Sequence, residues 1–299
     1  MTQTRGAIST GPSFGDILAA RVAQRESQIV LGLDPDPAAL WPQATGAAQT
    51  PADAVAAHCR ALIDAAGPAC VAVKPQLACF ERLGAAGWRA LEATVAHARG
   101  RGLLTIADGK RGDIDVTAAA YGQALFDTLG VDIATVNPLM GGDAVRPFID
   151  AARARSEPAG VLLLVRTSNP GAADIEDLEL AAGGTVWERL AALAAELGAA
   201  GVGAAGLSDV GAVVGATEPR HLARARELMP HAVFLLPGVG AQGGRVEQLA
   251  PAFAPGRAGG LVSASRSIAG AHLVAGGDPA DCARAEAERL RALAWALAG

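Results

Sequence analysis

Leu103-Leu104-Thr105-Ile106-Ala107-Asp108-Gly109-Lys110-Arg111-Gly112-Asp113-Ile114 is the stretch on which the reading of this chain turns. It begins as a short apolar run, the mark of a buried strand. It then changes at once into charge: a carboxylate, an ammonium and a second carboxylate, with glycines between them. A buried strand that ends in an acid and a base is costly unless the two groups serve each other or a ligand. Residues i and i+2 share one face of a strand. Asp108 and Lys110 are therefore expected to point the same way if the strand persists that far. Gly109 leaves the backbone between them free, and Gly112 marks the turn that lets Asp113 fold outward.

Lysine occurs only at positions 74 and 110, while arginine supplies the other permanently basic side chains. Arginine would serve where charge alone is needed, but it does not release a proton in a protein, whereas lysine does. Both lysines are thus expected where a compact ammonium is required, and Lys110 where a proton is transferred.

The bulk composition sets limits. The chain has 299 residues, 51% hydrophobic and 18% charged, a globular composition with enough apolar residues for one large core or two small ones. A net charge of -5 argues against nucleic acid or an anionic membrane as the main partner. No apolar run reaches the length of a membrane span. Residues 1–12 are polar and lack a signal-peptide core. Cys59, Cys70, Cys79 and Cys282 show neither CxxC pairing nor zinc spacing. They read as small buried hydrophobes, as expected of a chain in a reducing cytoplasm. The five histidines form no HExxH pattern and are expected on helices or in loops, with none at a site.

Strands are predicted over residues 29–33, 70–73, 103–107, 132–136, 161–165, 210–214 and 233–236, with a last one beginning at 261–262. Helices are predicted over 14–28 (capped by Ser13), 51–66 (capped by Thr50), 80–100 with an interruption near Gly84 and Gly87, and 116–129. Further helices follow over 142–155, 185–197, 219–229 and 279–297, the last capped by Asp278. Residues 41–49 read as a loop. Eight strands alternating with helices imply parallel pairing through right-handed crossovers. In a chain of this length they fit a single closed (β/α)8 barrel, a TIM barrel, with residues 1–28 an N-terminal extension and helix. An open doubly wound sheet is the alternative, but no GxGxxG turn follows the first strand.

In such a barrel the active site forms where strands end and the following loops begin. The first predicted strand ends in Asp34, the second in Lys74, and the third in Asp108 and Lys110. Neighbouring strands set these groups side by side with alternating sign, which keeps them charged. The seventh strand leads into Pro237-Gly238-Val239-Gly240-Ala241-Gln242-Gly243-Gly244, and the eighth into Ser263-Ala264-Ser265-Arg266. Glycine-rich backbone beside an arginine suits a phosphate, and barrels commonly hold phosphate in these two loops. No metal-ligand cluster is visible, and each acid has a lysine beside it. The pattern points to metal-free chemistry on a small phosphorylated substrate.

Asp108-Gly109-Lys110-Arg111-Gly112-Asp113-Ile114 resembles the DxKxxDI signature of the orotidine 5′-phosphate decarboxylases. Asp34-Pro35, Val73-Lys74-Pro75-Gln76, Thr167-Ser168-Asn169-Pro170, Pro237 to Gln242 and Ser265-Arg266 fall in the expected order. The match spans most of the chain and looks like the longer bacterial subgroup with KRGDI. Two departures are Gly109, where Ala is usual, and Leu139, where an aromatic is common.

The resemblance implies decarboxylation of orotidine 5′-phosphate to UMP, the last step of pyrimidine synthesis, without a cofactor. It implies Lys110 as proton donor to C6, Asp108 beside the substrate carboxylate, Lys74 holding that network and touching the ribose, and Asp34 on a ribose hydroxyl. Ser168 would bond the pyrimidine. Gln242 and Arg266 would bind the phosphate, together with Pro237, Gly238 and Ser265 around it. The family shares its site across a homodimer, so Asp113, Ile114 and Thr117 would act in the partner's site. The loops at 169–184 and 240–255 would serve as lids.

Two other readings are open to the same residues. Related sugar-phosphate decarboxylases and hexulose-phosphate synthases use Mg²⁺ and place a carboxylate at the end of the second strand, where this chain has Lys74. A non-catalytic nucleotide-binding barrel would not need a lysine held against two acids.

Overall fold

The computed structural model describes residues 11–46, 48–217, 219–240 and 243–299. After helix α1 (Phe14–Arg25), eight parallel strands close into a barrel in strict chain order: β1 (Ile29–Leu33), β2 (Ala72–Pro75), β3 (Leu104–Arg111), β4 (Ile133–Val136), β5 (Gly160–Arg166), β6 (Val210–Val214), β7 (Phe234–Leu236) and β8 (Gly260–Ala264). β8 pairs back to β1, with Ile29 opposite Val262. The helices outside are α2 (Pro42–Thr45), α3 (Pro51–Ala66), α4 (Leu77–Glu81), α5 (Gly84–Gly100), α6 (Asp115–Gln123) and α7 (Gly142–Arg153). They continue as α8 (Val186–Gly198), α9 (Pro219–Leu228), α10 (Arg266–Ala269), α11 (Ala271–Ala275) and α12 (Pro279–Leu297). The predicted closed barrel is therefore the observed architecture.

Two apolar layers hold it together. One lies between the sheet and the helices. The other fills the barrel lumen, where Val30, Ala72, Ile106, Ile133 and Leu162 pack with Phe14, Leu18 and Val22 of α1. Helix α1 thus stoppers the N-terminal mouth and leaves the C-terminal mouth as the open end. Each large apolar side chain it buries stabilises the fold by roughly 1.5–3 kcal/mol. Part of the N-terminal extension is accordingly integral to the barrel core.

The cap signals work as read. Ser13, Thr50 and Asp278 accept from backbone N–H groups in the first turns of α1, α3 and α12. Several boundaries differ from the sequence reading. The first helix stops at Arg25 rather than 28, because Glu26 adopts a left-handed φ of 48°. The Ser27 hydroxyl then ties the link to Ala69. Residues 42–45, read as loop, form a short helix started by Pro42, whose missing N–H costs nothing at a first turn. The helix read over 80–100 starts at Leu77 and breaks between Glu81 and Gly84. The one over 116–129 begins at Asp115 and ends in a wider π turn, Ala124–Thr128. All four cysteines are free; Cys59 and Cys70 are buried as read, but Cys79 in α4 and Cys282 in the first turn of α12 are only half-buried. Among the described residues no helix is long and apolar enough to cross a membrane.

Candidate active site

The open mouth gathers the charged strand ends. Asp34 follows β1, Lys74 lies in β2, and Asp108 and Lys110 lie in β3. Lys74 Nζ is 2.7 Å from Asp108 Oδ2 and 3.8 Å from Asp34 Oδ1. Lys110 Nζ takes the other oxygen of the same carboxylate, at 2.6 Å from Asp108 Oδ1. One buried carboxylate is therefore held between two ammonium groups. Burial alone would raise the Asp108 carboxyl, but Lys74 and Lys110 outweigh it and hold it down at about 2. Burial likewise works against the Lys74 ammonium, and Asp108 and then Asp34 overcome it, keeping that group above its usual value. Gln76 approaches the same carboxylate with its amide N–H at 3.4 Å.

The pleat alone does not bring Asp108 and Lys110 together. β3 pairs with β4 through Ala107 opposite Ala134, and next through Arg111 opposite Val136. Asp108, Gly109 and Lys110 thus stand opposite the single residue Thr135, a bulge that re-aims side chains beside the mouth. Within it Lys110 adopts a left-handed φ of 46°, which costs a lysine about 1–2 kcal/mol. Such a conformation persists only where its surroundings fix it. The Lys110 N–H donates to Thr135 Oγ1 at 2.9 Å. Beyond the bulge the Asn137 N–H rejoins the Arg111 carbonyl at 2.7 Å, and the Arg111 guanidinium is paired with Glu81 on α4.

Asp34, Lys74 and Asp108 share one cleft of about 190 Å³ with Pro237, Gly238, Ser265 and Arg266. At its far end the β7 turn is drawn tight: the Gly240 N–H donates to the Gly244 carbonyl at 2.9 Å, and the Gly244 N–H to the Gly238 carbonyl at 3.0 Å. Gly238 has a φ of 100°, open only to a residue without a Cβ. Arg266 is exposed at the start of α10. Gln242 lies outside the described residues. A larger hollow of about 600 Å³ lies between α11 and α12, but its Glu286 and Arg289 are forked onto each other at 2.7 and 2.8 Å.

Ser168 sits just past β5, half-buried, against Gly215 at the end of β6. The loop it opens is tied down at its root. Glu176 accepts from the Thr167 N–H at 2.9 Å and from the Thr167 hydroxyl at 2.8 Å. It also pairs with buried Arg166 at 2.7 Å. Asp113, Ile114 and Thr117 do not line the cleft of their own chain. They face outward, where Ile114 is 52% exposed, Val116 82%, Leu139 67% and Met140 47%.

Sequence reasoning missed Thr135 and Glu176, and it quoted Gln76 in a motif without giving it a role. Thr135 had a signal: a hydroxyl in a strand that is otherwise apolar needs a partner. Glu176 had none, since its role depends on a loop returning to its own root. Among the described residues no group of three or more His, Cys, Asp or Glu side chains could hold a metal ion.

Residues 27–279 match the model of the orotidine 5′-phosphate decarboxylase / HUMPS family. The chain is 39% identical over 272 residues to the orotidine 5′-phosphate decarboxylase of Rhodopirellula baltica, covering 87% of this chain and 89% of that one. It is 42% identical over 259 residues to that of Deinococcus radiodurans, covering 86% and 89%. Among solved structures, the OMP decarboxylase of Leishmania donovani superposes with a TM-score of 0.74 at 32% identity, covering 94% of this chain and 98% of that one. With strand-end charges in the order of the signature, a closed barrel beneath them and this similarity along nearly the whole length, the chain belongs to the orotidine 5′-phosphate decarboxylase / HUMPS family.

Proposed function

We propose that the cleft decarboxylates orotidine 5′-phosphate to UMP, with Lys110 delivering the proton to C6. One observation carries the reading: two ammonium groups grip opposite oxygens of buried Asp108 at the open mouth, at 2.7 and 2.6 Å. Its relatives' names supply the substrate, and the residues supply the chemistry.

The bond from C6 to the carboxylate breaks, CO₂ leaves, and the electron pair stays on C6. An ammonium already fixed beside that carbon stabilises the charge as it develops and needs no reorganisation. It then gives its proton to C6, and the neutral amine regains one from water. The substrate carboxylate lies beside Asp108 before the reaction. Because Asp108 stays ionised, the two anions repel in a poorly solvated place, and loss of CO₂ relieves that repulsion. Lys74 keeps Asp108 charged and, with Asp34, bonds the ribose hydroxyls.

Arg266 and the glycine-rich turn from Pro237 hold the phosphate, with Ser265 and with Gln242 from the undescribed part of that turn. Ser168 reads the pyrimidine. Unassisted decarboxylation of this kind is slow, so the barrier must fall by about 20 kcal/mol. No single contact supplies that, and phosphate binding far from C6 contributes by closing the loops at 169–184 and 240–255. In the first of these, closure pivots beyond Glu176, which anchors the root.

The site is shared in a homodimer, with Asp113, Ile114 and Thr117 reaching the partner's substrate. The exposed apolar side chains around Asp113 support this, since such a patch otherwise stays in water. The reaction uses no metal or organic cofactor, and the enzyme works in the cytoplasm. The test is the ultraviolet absorbance of orotidine 5′-phosphate with purified protein. Steady loss of the substrate spectrum is expected, and an unchanged spectrum over hours would leave only a binding barrel.

A further inference from the structure

The bulge in β3 raises a question that the charged residues do not answer. Three residues stand opposite one, so the backbone of the catalytic lysine has lost its ladder partner on β4. That one residue, Thr135, is 1% exposed, and its hydroxyl sits inside the bulge. Its oxygen accepts the orphaned Lys110 N–H at 2.9 Å. Its proton has two acceptors in reach, Asp108 Oδ1 at 3.1 Å and the Ala107 carbonyl at 3.4 Å. The carboxylate is the nearer, and it is charged, which makes it the stronger acceptor.

We propose that Thr135 is a positioning residue: its single hydroxyl ties the left-handed backbone of Lys110 to the carboxylate of Asp108 and so fixes where the ammonium points. The reading rests on Lys110 and Asp108 being the reacting pair. The hydroxyl satisfies two needs at once. It replaces the strand bond that the bulge removes, so that the half-buried Lys110 N–H is not left bare. It also occupies part of Asp108 Oδ1, the oxygen that holds Lys110 Nζ at 2.6 Å. Acid and base are thereby referred to one point within strand β4 rather than on a loop. Rigid placement of this kind governs rate, because a displacement of about 1 Å at a reacting group can cost about 100-fold.

Thr135→Val keeps the shape and removes the hydroxyl, while Thr135→Ser keeps the hydroxyl and removes the methyl. The expected result for Thr135→Val is a fall in kcat of about 10- to 100-fold. KM for orotidine 5′-phosphate and Kd for UMP should stay within about threefold of the parent, because the phosphate and ribose contacts are untouched. Thr135→Ser should recover most of the lost kcat. If Thr135→Val does not fold, Thr135→Ala against Thr135→Ser gives the same contrast. The proposal is overturned if kcat survives loss of the hydroxyl, if Ser fails to rescue, or if KM and Kd rise in step with the fall in kcat. Lys110→Ala, assayed alongside, separates the two layers. Retained turnover there removes the reading of Lys110 itself, whatever Thr135 does.

Discussion

Leu77 occupies the space that a side chain at Gly109 would need: a Cβ built on Gly109 falls 2.6 Å from Leu77 Cδ1. Leu77 opens α4 immediately after the Lys74-Pro75-Gln76 strand end and is fully buried. A methyl group at position 109 therefore has no free space beside Leu77. Gly109→Ala should overpack the bulge and destabilise the protein by about 1–3 kcal/mol. Combined with Leu77→Val, the added methyl has room, and the double variant should be no less stable than Leu77→Val alone. Denaturant unfolding of the four proteins decides it; simple additivity of the two losses would show that the residues do not share the space.

The proposed sharing of the site between two subunits has a direct consequence. Lys110→Ala and Asp113→Ala should each be inactive as pure dimers. Mixed under conditions that exchange subunits, they should regain activity, because a hybrid has one site with both residues intact. If hybrids form and remain inactive, Asp113 acts within its own subunit or not at all.

Metal dependence separates the two chemistries that share this family. Lys74 puts an ammonium at the end of β2 beside Asp34 and Asp108, where it repels a cation. Turnover should be unchanged after exhaustive chelation and dialysis. Loss of activity restored by Mg²⁺ would favour an enediolate reaction.

His58 gives the fold a pH dependence outside the site. Its Nδ1 accepts the Trp41 N–H at 3.1 Å, which requires the neutral ring. Burial, and then the neighbouring His272, lower its pKa from 6.5 to about 4. A group with a depressed folded value contributes stability that is full above its unfolded value and lost as pH falls towards the folded one. Stability should therefore decline between about pH 6.5 and 4, by roughly 3 kcal/mol from this group. His58→Gln, which cannot take up the proton, should flatten that window. Asp108, lowered from 3.8 to about 2, adds a second loss only below that range. An unaltered slope in the His58 variant would assign the acid sensitivity to other groups.

The barrel was legible because most strands are short apolar runs that stop at Asp, Lys, Asn, Arg or Pro, and several helices, α1, α3, α8 and α12 among them, open on a capping side chain. The charged half of the site was legible for the same reason, since strand ends are also where the charges fall. What stayed hidden depends on register. Alternation put Asp108 and Lys110 on one face, and they do meet, but through a bulge and a left-handed lysine that no periodicity encodes. The lone hydroxyl of Thr135 in an apolar strand signals a need for a partner, but which partner emerges only when β4 is laid against that bulge. The hold of Glu176 on Thr167 needs the loop to fold back onto a residue nine positions earlier, which local propensity does not describe.

The central claim is that the Lys110 ammonium protonates C6. Orotidine 5′-phosphate turnover by Lys110→Ala, measured beside UMP affinity of the same protein, tests it most directly. Turnover should fall by at least about 10⁴-fold, the combined loss of a proton donor and a fixed cation, while UMP still binds through the phosphate cradle. Turnover within tenfold of the parent, at undiminished UMP affinity, would contradict it.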